Sequence, residues 1–110
     1  MLWSQRIAHL LVSDRAAEMA ERVAGRSRMA VWQRVMDRAG ALALTESRGY
    51  IRARAAGVIQ AEMDRLIEQE GPKVACLRER IIATATQSLV ETLAAQLQQR
   101  RQAQRHQRAA

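Results

Sequence analysis

A chain of 110 residues, 48% hydrophobic with much of that fraction alanine, is long enough for one domain with one core of ordinary size. It has no Phe, and its only aromatics are Trp3, Trp32 and Tyr50, so the core must come from closely approaching helices rather than large rings. The net charge of +7 is carried by Arg with Lys73 the one exception, and a single cysteine, Cys76, excludes an internal disulfide.

Taken in chain order, residues 2–24 read as helix with an apolar stripe that changes side. Trp3, Ile7, Leu10 and Leu11 share one face, and Val12, Ala16, Met19 and Val23 share the opposite one, so a break near Ser13 or contact with two partners is expected. Gly25-Arg26-Ser27 then reads as a stop followed by a start, Gly ending one helix and Ser capping the next. That second helix presents Met29, Trp32, Val35, Met36 and Ala39 on one face and ends near Gly40, with Trp32 expected in the core. A break is placed between Gly40 and Ser47, because Gly40, Gly49 and Gly57 would each cost a continuous helix about 1 kcal/mol relative to Ala.

The pattern is clearest from Tyr50 onward. Ile51, Ala55, Val58, Ile59, Met63 and Leu66 recur at spacings of three and four, as do Val74, Leu77, Ile81, Ala85, Leu89, Leu93 and Leu97. Between them lies Gly71-Pro72, a residue that tolerates a left-handed helix end followed by one suited to a helix start. The predicted architecture is all-α: a helical bundle of about four helices built on a long antiparallel hairpin, Tyr50 to Glu70 and Pro72 to Gln99. Gly57 is read as a point of close approach for another helix. The longer second arm overhangs the first and needs cover from the N-terminal helices or another subunit. Residues 1–97 form the domain, and 98–110 a basic Gln/Arg-rich extension that orders when bound.

Chemistry-bearing patterns are few. There is no nucleophile with a base in reach by sequence, no phosphate-cradling Gly-rich loop and no Glu-x-x-His pair, so no catalytic, metal or cofactor site is assigned. Asp14, Glu18 and Glu21 line one helix face, and Arg15 and Arg22 are at hand to neutralise it. Glu62, inside the central stripe, lies near Arg78 across the hairpin and is the expected register pair. Arg26, Ser27 and Arg28, at a predicted helix start, are the candidate anion site by sequence, extended by Arg48 and Arg52 and by Arg100, Arg101 and Arg105 in the tail; the competing reading is a solvated Arg-rich surface. Thr84, Ala85, Thr86, Ser88 and Thr92 dilute the stripe of the last helix and suit tight contact with a neighbouring helix.

The function expected is therefore non-enzymatic: a scaffold, adaptor or assembly subunit acting through helix-to-helix contacts, a homo-oligomer or part of a complex. Sequence-nonspecific nucleic-acid binding through the Arg-rich surface is the alternative. Membrane contact is disfavoured, since the stripe containing Trp3 serves equally to close the open end of the hairpin. The lone cysteine fits a reducing compartment, the cytoplasm ahead of an organelle matrix.

Overall fold

The computed structural model describes residues 2–109, and the side chains of residues 14–109. Three long helices, α1 (Leu2–Ala39), α2 (Leu44–Glu70) and α4 (Arg78–Ala109), pack pairwise around one core, with the short α3 (Pro72–Ala75) at the turn. The molecule is a rod of 64 × 28 × 20 Å. It is an all-α bundle, but its four helices divide the chain differently from the sequence expectation.

The reversal at Gly71-Pro72 is where expected. Gly71 adopts φ 85°, a backbone conformation that side chains resist, and its amide donates to Ile67 O at 2.8 Å, tying off the end of α2. Pro72 occupies the first turn of α3, and Val74 is fully buried just beyond it. The α2 stripe of Ile51, Ala55, Ile59, Met63 and Leu66 is buried, with Val58 half-buried at its edge. In α4, Ile81, Ala85, Leu89, Leu93 and Leu97 are buried, joined by Val90 and Ala94. Helix α4 packs against α1 as well as α2, so α1 supplies the cover that the long arm required.

Helix α1 runs unbroken through both Ser13 and Gly25. The expected stop and start at Gly25-Arg26-Ser27 does not exist, because Ser27 belongs to a core row. Met19, Val23, Ser27, Val31, Val35 and Ala39 follow one another at spacings of four, all buried. Fully burying one Val contributes about 1.5–3 kcal/mol, and a helical Gly costs about 1 kcal/mol relative to Ala, so keeping the row intact outweighs the local stop signal. The same row displaces the face anticipated for this segment: Met29 is 66% exposed, Trp32 and Met36 are half-buried, and only Val35 and Ala39 of that set are in the core. The stripe of Trp3, Ile7, Leu10 and Leu11, with Val12, lies outside the residues whose side chains are described.

The break after Gly40 is present but shorter than expected, since α2 begins at Leu44. Ser47 sits inside α2, and its hydroxyl donates back to Ala39 O and Ala43 O, each at 3.0 Å. Gly57 approaches no other helix: a Cβ built there would meet nothing within 4 Å, and the position is exposed. At the other end of the chain, α4 continues as helix to Ala109 with no interruption at 97–98.

Candidate anion-binding end of the bundle

Charge is sorted along the rod. Residues 14–22 of α1, 62–70 of α2 and the turn through 80 gather at one end; they carry Asp14, Glu18, Glu21, Glu62, Asp64, Glu68, Glu70 and Glu79 against six basic residues. The opposite half holds Arg26, Arg28, Arg34 and Arg38 from α1, Arg48, Arg52 and Arg54 from α2, and Arg100, Arg101, Arg105 and Arg108 from α4. Its acids are Asp37, Glu46 and Glu91 alone. Eleven arginines therefore face three carboxylates at this end.

Ion pairing sharpens the contrast. At the acidic end Arg15 and Arg22 both reach across to Glu70, at 3.4 and 3.1 Å, rather than to the carboxylates of their own helix. Arg78 pairs with Asp64 at 2.7 Å, and Glu62 pairs with Arg65 at 3.0 Å on the same helix. The expected Glu62 to Arg78 pair is thus replaced: the hairpin arms are joined through Asp64. The turn at Cys76 and Leu77 interrupts the second arm, so that α4 restarts at Arg78 and brings it to a different neighbour. At the basic end, among the described residues, only Arg48 has a carboxylate within pairing distance, Glu91 at 3.5 Å. Arg28 and Arg52 donate to neutral amides instead, Gln96 and Gln87, each at 3.1 Å.

The residues singled out by sequence separate into three groups. Ser27 is fully buried in the core of α1, and its hydroxyl has no hydrogen-bond partner among the described residues, so it takes no part in an anion site. Arg26 and Arg28 lie mid-helix, where no free backbone amides accompany them, and contribute charge only. Arg101 is half-buried and structural: its guanidinium donates to Ala39 O at 2.9 Å and to Leu42 O, carbonyls at the end of α1 and in the loop beyond it. A cation placed at a helix C-terminus is where the backbone dipole favours one. Arg48, Arg52, Arg100 and Arg105 are exposed.

Beyond Arg101 the last turns of α4 stand clear of the other helices and are exposed along their whole length. Arg101, Gln104, Arg105 and Arg108 form one wall of an open cleft of about 460 Å³, and Gly40 to Ala43 form the other. Ala43, the residue before α2, lines this cleft and provides no side-chain cap to the helix. Arg34, Arg38, Arg54 and Arg108 were not singled out by sequence. Each sits in unremarkable helical context, and the only local signal was the scarcity of acids around them.

Among the described residues no three His, Cys, Asp or Glu side chains converge as metal ligands, and no helix is long and apolar enough to cross a membrane. Cys76 is exposed at the junction of α3 and α4. What the fold and the charge distribution define is a class, an all-α rod with one strongly basic end. Compared with protein-family models, curated proteins and solved structures, the chain matches none.

Proposed function

We propose that this is a non-enzymatic interaction protein: a three-helix rod that presents its arginine-rich end to an acidic partner. The observation that carries the reading is the sorting of charge, with ten arginines at one end lacking a carboxylate partner among the described residues. Holding so many like charges together costs stability unless an anion is brought to them, and screening over ~8 Å at physiological ionic strength leaves neighbours within the cluster unscreened. The rest of the rod supports a passive scaffold that holds this end in place, since its core is a continuous apolar cluster from Ala16 to Leu97.

The test is retention on immobilised polyanions, polyglutamate and a sulfated polysaccharide, at low and high salt. The expected outcome is salt-sensitive retention that Arg34→Gln, Arg38→Gln, Arg105→Gln and Arg108→Gln together abolish. Retention that survives those four changes would place the binding surface elsewhere.

A second reading, self-association through helix faces, is supported by one feature of α1. Met29 projects into solvent beside half-buried Trp32, over an open groove of about 220 Å³ that Gly25, Arg28 and Gln96 complete. A helix of a second copy would cover it. Light scattering over a concentration range reads this directly, and a mass that stays monomeric at every concentration removes the reading.

A further inference from the structure

We infer that the acidic partner is the phosphate backbone of a nucleic-acid duplex, bound without regard to base sequence; this rests on the reading of the basic end as the working surface. Three observations point to this partner, and the second of them tells it from an acidic protein or a single strand.

The first is residue type. All the arginine and lysine charge at this end comes from Arg, while the chain's one Lys, Lys73, lies at the acidic end. The planar guanidinium matches phosphate oxygens in bidentate fashion, and among the described residues the exposed examples have no carboxylate within pairing distance, Arg48 excepted.

The second is what the surface lacks. Protein interfaces take most of their affinity from buried aromatic and aliphatic anchors, whereas nucleic-acid interfaces are more polar and far more positively charged. Around the basic end the large exposed apolar side chains are Leu44 and Met29, with Met29 facing the groove between α1 and α4 rather than the cleft. Single strands are held by aromatic platforms. Here Tyr50 is half-buried with the Arg54 guanidinium 5.3 Å from its ring centre, and Trp32 is half-buried against the core.

The third is reach. From Arg26 to Arg38 helix α1 rises ~18 Å, the axial length of about five base pairs, and α4 carries the charge a further ~12 Å from Arg100 to Arg108. Arginines spread over that length, along α1 and then along the part of α4 that stands clear, can follow a duplex backbone and meet about five phosphates at once. Five such contacts correspond to a salt slope near −4.5 on B-DNA, so affinity falls about 500-fold between 50 and 200 mM monovalent salt.

The experiment is fluorescence anisotropy with the full chain and four probes: a mixed-sequence 20-base-pair DNA duplex, the matching RNA duplex, a 20-nucleotide single strand, and labelled polyglutamate. The expected result is binding to at least one duplex with the slope above, unchanged when the sequence is scrambled. DNA and RNA arms then say which duplex is preferred. In the variant combining Arg34→Gln, Arg38→Gln, Arg105→Gln and Arg108→Gln, whose helical content is checked by circular dichroism, the slope falls by three to four. Arg80→Gln with Lys73→Gln, at the far end, leaves it unchanged.

Equal losses in both variants would overturn the inference, as would a single strand bound tenfold more tightly than either duplex. Binding to polyglutamate without binding to a duplex overturns it while leaving the acidic-partner reading intact. Binding to none of the four removes both.

Discussion

Arg101 was grouped by sequence with anion-binding residues of a tail, yet its contacts place it among the groups that hold the bundle shut. Replacing it with Met keeps the stem and removes the guanidinium, so the donors to Ala39 O and Leu42 O are lost together. A hydrogen bond from a charged donor contributes about 1.5–3 kcal/mol net, which sets an upper expectation of roughly twice that for two. The neighbourhood argues for less. Ala39 O keeps the Ser47 hydroxyl at 3.0 Å and the Leu42 amide at 3.3 Å, and Leu42 is half-buried, so water can reach its freed carbonyl. A net loss of about 1.5–3 kcal/mol is therefore expected, or roughly 6–12 °C in Tm for a domain of this size. Thermal denaturation followed by circular dichroism measures it, with Arg100→Met, on an exposed neighbour, as the control. Equal melting temperatures for the two variants would refute the capping role and return Arg101 to the solvated surface.

Ser27→Ala should raise stability by about 1 kcal/mol, because the hydroxyl is fully buried with no partner among the described residues and its removal recovers a desolvation cost; a lower Tm would mean that the hydroxyl is satisfied in solution. Gly49→Ala and Gly57→Ala, both mid-helix with open space where a Cβ would stand, should each add ~0.5–1 kcal/mol, and chemical denaturation of the double variant should show the two gains summing. Ile59→Ala, at a site with no exposed surface, should cost about 2–5 kcal/mol, whereas Asp64→Asn, in an exposed pair with Arg78, should cost under about 1 kcal/mol by the same assay. Met29→Arg should leave the fold intact and eliminate any concentration-dependent increase in mass seen by light scattering.

The hairpin could be read from the chain because both of its determinants are local. A Gly-Pro pair dictates a reversal within two residues, and a stripe at three- and four-residue spacing dictates which face is buried, whatever buries it. The same logic misjudged α1. Gly25 and Ser27 carry a genuine local signal for a helix boundary, and nothing nearby in sequence announces that Ser27 stands in a row from Met19 to Ala39 whose burial requires α2 and α4. Glu62 and Arg78 illustrate a finer failure, since a two-residue turn in the second arm was enough to exchange Glu62 for Asp64.

The amino-acid order alone specified an all-helical chain, a sharp turn at Gly71-Pro72 and the apolar faces of the two arms, since these follow from backbone preference and periodicity within a few turns. It also showed an acid-poor C-terminal stretch, but as a tail. Packing supplied the rest: α1 passes through Gly25 as one helix, α4 lies against it, and Arg101 locks the far end of α4 onto the α1 to α2 loop. That arrangement gathers arginines separated by up to 82 positions onto one end, and charge density, unlike helix periodicity, depends on distances in space that no local run of residues encodes.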